Sequence, residues 1–273
     1  MNHQPIKPVG IFDSGLGGLS IWLECRKLMP YADFCYVADS AHCPYGDKSA
    51  EEIVALSMRI TDSLVRRGVG MIIVACNTAT TAAIGRLRKT YDIPFVGIEP
   101  AVKPAAVASK SGVIGVLATR GTISSDFYNS TRQRFASGVR VIAVAGDGLV
   151  EAVESGHIHS PGTRKLLKRY LQPMLDEGAD QIVLGCTHYP FLIEEIQSIT
   201  GSRVTVINPA PAVARRAEEI RAGMNAAAGH TAGTDAFYTT GSTRIMRSFL
   251  RTITGRTYEV REYADAAVSS ACP

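Results

Sequence analysis

Cys76 and Cys186 occupy matching contexts. IIVACNTAT (72–80) and IVLGCTHYP (182–190) each run from a buried-strand pattern through a small residue to a cysteine, then into polar residues that open a helix. The two thiols are 110 residues apart. Asn77, Thr78 and Thr187 are N-cap types. Free N–H groups and the positive dipole end at a helix start favour negative charge. A cysteine placed there is predicted to carry a stabilised thiolate, the usual route to reactivity. A lone strand-end cysteine is more often an inert small hydrophobe. Two at repeat-related places, each beside hydroxyls and one beside His188, reverse that expectation.

Three chemistries use such residues. A metal could take both cysteines with His188 and Asp13 as four ligands, although C-x-H on a tight strand–helix turn is not a usual zinc pair. A nucleophile could be Cys186 activated by His188, which leaves Cys76 without a role. The third chemistry employs both thiols. Inverting a stereocentre needs a base on one face of the carbon and an acid on the other. Reversibility makes the two groups exchange roles, so a pseudo-symmetric pair of one residue type suits it. That argument selects a racemase or epimerase. A metal-dependent or cysteine hydrolase and a non-catalytic amino-acid-binding protein stay open, and bound zinc, an acyl-enzyme or binding without α-hydrogen exchange would distinguish them.

A second aligned pair extends the repeat. GIFDSGLGG (10–18) reads against GVLATRGT (115–122), which sets Asp13-Ser14 opposite Ala118-Thr119. Short β-branched runs predict strands at 8–12, 34–38, 70–75, 94–98, 112–118, 139–144, 180–185 and 203–207, with later candidates at 235–239 and 257–261. Near-continuously apolar strands alternating with helical segments mean an α/β fold with mainly parallel sheets. Two similar α/β domains facing each other across a cleft are expected, residues 1–98 plus 208–273 and residues 99–207, with crossovers at Glu99-Pro100 and Asn208-Pro209. Ligands of open α/β sheets bind outside the carboxyl ends of the strands. Asp13-Ser14, Cys76-Asn77-Thr78, Thr119 and Cys186-Thr187-His188 all fall there. The turn Gly15-Leu16-Gly17-Gly18 lacks the dinucleotide spacing and reads as a tight turn into a helix.

The remaining features exclude whole classes. With 273 residues, 46% apolar, 20% charged and a net charge of +4, the chain is globular in composition and too weakly basic for a nucleic-acid platform. Arg244, Arg247 and Arg251 form a stripe that reads as a solvated helix face, with Ile245, Phe249 and Ile253 on its other side. No apolar run is long enough to span a membrane, and MNHQPIKPVGIF has no secretory pattern. A cytoplasmic location is expected. The six cysteines contain no CxxC pair, and a chain of this size needs no disulfide staples.

FDSGLGG (12–18), PYG (44–46), ACNTAT (75–80), VGIEPAVKPA (96–105) and LGCTHYP (184–190) together resemble the glutamate racemases, a branch of the aspartate/glutamate racemase superfamily. The likeness runs from about residue 9 to at least residue 222. It implies cofactor-independent and metal-free conversion of L-glutamate to D-glutamate for peptidoglycan, by two-base proton transfer in a homodimer. By that resemblance Cys76 and Cys186 are the two catalytic cysteines, and Asp13 and His188 assist them. Asp13, Ser14, Tyr45, Gly46, Asn77, Thr78, Thr187 and His188 match substrate-contacting positions, joined by Thr119. Glu154 falls where the family has a further acidic residue near the site. The chain departs from the family at Ala145-Gly146-Asp147, where many members have a Cys-Pro pair, and at Asn208, where an acidic residue is common. No direct contact with nucleic acid or membrane is expected, and neither is activation by a peptidoglycan precursor.

Overall fold

A computed structural model describes residues 7–224 and 232–264. Cys272 and the ends of the first expected domain lie outside them. Among the described residues ten strands form: β1 Val9–Asp13, β2 Phe34–Ala38, β3 Met71–Val74, β4 Phe95–Gly97, β5 Val113–Ala118, β6 Arg140–Ala145, β7 Gln181–Gly185, β8 Thr205–Ile207, β9 Asp235–Thr239 and β10 Val260–Glu262. Each overlaps a predicted strand, and the last is shorter and displaced toward its C-terminal end.

The strands form two separate sheets, ordered β10-β9-β2-β1-β3-β4 and β6-β5-β7-β8. Every pairing is parallel. The order β2-β1-β3-β4 repeats as β6-β5-β7-β8, so the sequence repeat has a topological counterpart, with β5 standing for β1 and β7 for β3. Parallel strands need crossover helices, which cover both faces and require both faces to be apolar. β1, β2, β3 and β7 are buried at every residue.

The helices show how the sequence secures this layering. Helices α1 (Leu19–Leu28), α2 (Ala50–Arg66) and α3 (Asn77–Thr90) follow β1, β2 and β3. On α2, Ile53, Leu56, Ile60 and Leu64 are buried at helical spacing. Its first turn is closed by Ser49 Oγ, which accepts from the Glu52 N–H at 3.2 Å. The arginine stripe lies on the helix Thr243–Thr254, and its three residues are exposed. The buried face there is Met246, Phe249 and Leu250, and Ile245 is exposed, not covered as its spacing predicts. Cys35, in β2, also departs from expectation: it is disulfide-bonded.

Candidate active site

Register places the two cysteines. Phe12 pairs with Val74 and Ala118 with Gly185, which sets Cys76 level with Ser14 and Cys186 level with Thr119. The carboxyl ends of the two sheets meet, and Cys76, Cys186, Ser14 and His188 line one cavity. Several hydrogen bonds crossing that junction come from residues that the motifs single out, among them Thr187 to Asp13 and Thr78 to Thr119.

On one side, Cys76 itself is the N-cap of α3, so that helix starts one residue earlier than an Asn77 cap, and two earlier than a Thr78 cap, would place it. Its Sγ accepts from the Ala79 N–H at 3.4 Å and lies 3.6 Å from Ser14 Oγ. The expected stabilised thiolate does not follow. Burial first, and the negative charge of Asp13 second, push the thiol up to about 12, overriding the Ala79 N–H and Ser14. Desolvation outweighs the helix terminus because the sulfur is almost wholly enclosed. A proton that leaves this thiol therefore creates an unusually strong base.

Asp13, fully buried, accepts from the Gly15 N–H at 2.8 Å and from Thr187 Oγ1 at 3.0 Å. Burial raises its carboxyl above the usual carboxylate range, against the opposing pull of His188 and of those hydrogen bonds. A buried carboxyl with two donors and a raised affinity for protons can both hold and release one.

On the other side, His188 Nδ1 lies 3.7 Å from Cys186 Sγ, and its Nε2 lies 2.6 Å from Glu154 Oε1. Burial pulls the imidazole down, but its bonds to Cys186, Cys43 and Glu154 carry it well above the ordinary histidine range. As an imidazolium it donates from both nitrogens. The Gly17 N–H, 3.2 Å from Nε2, is then a close approach and not a hydrogen bond. Glu154, which sequence alone would leave as a solvated helix carboxylate, has a side chain only 20% exposed and also accepts from the Leu16 N–H at 2.6 Å.

This packing gives the glycine-rich turn its reason. A Cβ on Gly15 would collide with Glu154 Oε1, and one on Gly17 would run into the His188 ring. The turn is glycine so that side chains of the second sheet can lie against its backbone.

The other expected residues gather here in unequal ways. Thr78 Oγ1 meets Thr119 Oγ1 at 2.8 Å, and Gly46 lies against Thr119. Tyr45 lines the cavity and has its hydroxyl occupied, donating to Asp39 Oδ2 at 2.6 Å. Asn77 is 2% exposed, lines the cavity and has neither amide atom paired. An amide buried without partners is costly unless a ligand supplies them. Sequence reasoning missed Thr122, bonded to both Thr119 and Thr78, and Ser20, whose Oγ donates to the Thr187 carbonyl at 3.0 Å. Thr122 follows Thr119 by a helix turn, a signal that was readable. Asp39, which also bonds His42 and Thr240, has no motif to mark it.

The four-ligand metal set does not assemble. Among the described residues, the His/Cys/Asp/Glu group whose ligand atoms lie within 4.8 Å of one another is Cys43, Glu154 and His188, with neither Cys76 nor Cys186 in it. The free space between the two strand-end cysteines is about 10 Å³. Among the described residues, no helix is long and apolar enough to cross a membrane.

Residues 24–217 match the profile of the Asp/Glu/Hydantoin racemase family. A glutamate racemase of Ectopseudomonas mendocina is 44% identical over 262 residues, which cover 96% of this chain and 100% of that one. Among solved structures, a glutamate racemase isoform from Bacillus anthracis superposes with a TM-score of 0.88 at 30% identity, covering 96% of this chain and 98% of that one. The Escherichia coli glutamate racemase, solved in complex with L-glutamate and the activator UDP-MurNAc-ala, gives 0.82 at 32% identity over 94% of this chain and 97% of that one. Shared sequence over almost the whole length, joined to a shared arrangement of two like-ordered parallel sheets, means that this chain belongs to the Asp/Glu racemase family, in its glutamate racemase branch.

Proposed function

We propose that the chain interconverts L- and D-glutamate by moving a proton between two cysteines on opposite faces of the α-carbon. The observation that carries this reading is the placement of Cys76 and Cys186 at equivalent strand ends of two like-ordered sheets, lining one cavity. One thiolate takes the α-hydrogen, and the opposite thiol gives a proton to the other face. Run backward, the roles exchange.

The surroundings suit each half of that transfer. Cys76, pushed up to about 12, is a stronger base when ionised than an ordinary thiolate, which narrows the gap to a very weakly acidic C–H. Ser14 and Asp13 serve its side. His188, oriented by Glu154, serves Cys186. Asn77 and Thr78, at the first positions of α3, offer backbone N–H groups and the unpaired Asn77 amide to a substrate carboxylate. Thr119, Thr187, Tyr45 and Gly46 complete the wall. The reading uses no cofactor.

Related readings go with it. The two lobes are residues 1–98 plus 208–273 and residues 99–207, supported by the separate sheets. The product serves peptidoglycan synthesis in the cytoplasm, and the working unit is a homodimer, which light scattering after gel filtration would measure.

The deciding experiment follows the α-proton of L-glutamate, then of D-glutamate, by NMR in heavy water without added cofactor. Loss of the signal from both enantiomers with convergence on a racemic mixture is expected. Folded protein that exchanges neither would overturn the reading.

A further inference from the structure

Cys43 is left over by the reaction just described. It sits between the Asp39 turn and the PYG turn, half-buried. Its sulfur lies against the Gly15 backbone, where Glu154 Oε1 also lies. The ligand atoms of Cys43, Glu154 and His188 all fall within 4.8 Å of one another.

We propose that Cys43 Sγ, His188 and Glu154 form a binding site for a thiophilic divalent cation of the zinc or cadmium type, and that the bound ion shuts the enzyme down from behind His188. The inhibitory part rests on the racemase reading above; the binding part does not.

Donor type comes first. One sulfur, one imidazole nitrogen and one carboxylate oxygen are the set that zinc accepts with a fourth position left for water. Hard cations such as magnesium or calcium prefer all-oxygen sites. Spacing comes next. Bonds of about 2.0–2.3 Å to such donors put neighbouring ligand atoms of a tetrahedron roughly 3.3–3.6 Å apart. Glu154 Oε1 and His188 Nε2, now 2.6 Å apart, must open by less than about 1 Å, and the Cys43 sulfur has a comparable distance to close. The outer contacts already exist. The Leu16 N–H fixes Glu154 Oε1 at 2.6 Å, and Cys186 sits on the other imidazole nitrogen at 3.7 Å. Such second contacts orient metal ligands.

Access to these ligands comes from a pocket other than the cysteine cavity. Cys43 and Glu154 lie at the wall of a solvent-facing pocket of about 330 Å³, bounded also by Leu16, Val150, Ser155 and Met246. Neither Cys43 nor Glu154 lines the cavity of Cys76 and Cys186, whereas His188 does. His188 is thus the partition between the two spaces. An ion entering from the outer pocket occupies Nε2 and displaces the proton shared with Glu154, and the Cys43 thiol proton leaves to solvent. The cavity wall at Asn77, Thr78 and Thr119 is untouched. What is lost is the imidazolium that serves Cys186, so kcat falls by more than KM for glutamate rises.

Cadmium titration of wild-type protein, Cys43→Ala and Cys43→Ser reads the site directly through the ultraviolet thiolate-to-cadmium charge-transfer band, and requires no turnover. One cadmium per chain with a band that disappears in both variants is expected. In parallel, zinc should lower wild-type kcat far more than it changes KM, and both variants, each compared with its own rate in the absence of zinc, should need at least about tenfold more zinc. A band and a zinc sensitivity that persist in both variants would place the metal elsewhere and overturn the proposal, as would inhibition that competes with glutamate. A Cys43-dependent band in protein that never racemises glutamate would leave the metal site standing and remove the racemase reading instead.

Discussion

Thr187 Oγ1 donates to Asp13 Oδ2 at 3.0 Å, so a hydroxyl carried by the second sheet holds a buried carboxylate carried by the first. Hydrogen bonds to charged groups contribute about 1.5–3 kcal/mol, equivalent to roughly one to two powers of ten. Thr187→Val should therefore lower kcat/KM for glutamate by about 10–100-fold. Losing a donor also raises the Asp13 carboxyl further, so the acidic limb of the rate profile should move to higher pH. An unchanged limb would remove Asp13 from the proton path.

Replacing either strand-end cysteine separates the two half-reactions. Cys76→Ser and Cys186→Ser should each abolish racemisation while the circular dichroism spectrum and melting temperature stay close to wild type. Each variant should still wash deuterium into one enantiomer only, and the two should differ in which one. Washing into both enantiomers by a single variant would contradict a two-sided transfer.

The raised Cys76 thiol has a thermodynamic signature. Its folded value of about 12 exceeds the ordinary 9.0, so the folded state keeps a proton that the unfolded state releases. Stability is then fully present below the unfolded value and falls as pH rises from there toward the folded one. Between about pH 9 and 11 the wild type should lose about 1.4 kcal/mol per pH unit more than Cys76→Ser, since one proton separates their slopes. Urea melts at stepped pH measure the difference, and parallel slopes would place the thiol in a more hydrated setting.

Asn77 trades stability for recognition. Both of its amide atoms are buried without partners, a cost of about 1–3 kcal/mol. Asn77→Leu should raise the melting temperature of the ligand-free protein and raise KM for glutamate by at least about tenfold. If stability fell and KM held, the amide would be satisfied by something other than substrate.

Two glycines give opposite expectations. Gly85, exposed on α3 with open space around a would-be Cβ, should gain about 0.5–1 kcal/mol on Gly85→Ala. Gly17→Ala drives a methyl group into the His188 ring and should cost both stability and about a hundredfold or more in kcat, through the displaced imidazole. Chemical denaturation and steady-state rates together distinguish the two.

The strands were legible because parallel sheets buried on both faces leave unbroken apolar runs, and the repeat in sequence corresponds to a repeat in strand order. Cys76, Cys186 and His188 were legible because motif and strand end coincide. Ile245 was misread: helical spacing fixes which residues share a face, but which face finds a partner depends on elements far away in sequence. The thiolate expectation at Cys76 failed for a similar reason. A helix start is local and visible, whereas the enclosure that desolvates the sulfur is built by residues far from it in sequence, from its own lobe as well as the other. Asp39 and Cys43 acquire their neighbours only through the folded chain.

The 10 Å³ left between the cysteines is scarcely room for one water molecule. The form described here therefore cannot be the one that glutamate meets. Capture becomes a question of population: the measured dissociation constant equals the intrinsic one divided by the fraction of molecules standing open. Substituting Thr122, which braces Thr78 and Thr119 without lining the cavity, should loosen that cluster and so tighten apparent affinity and speed association. The same loosening lets solvent reach the carbanion, so faster capture comes with more protons taken from bulk water.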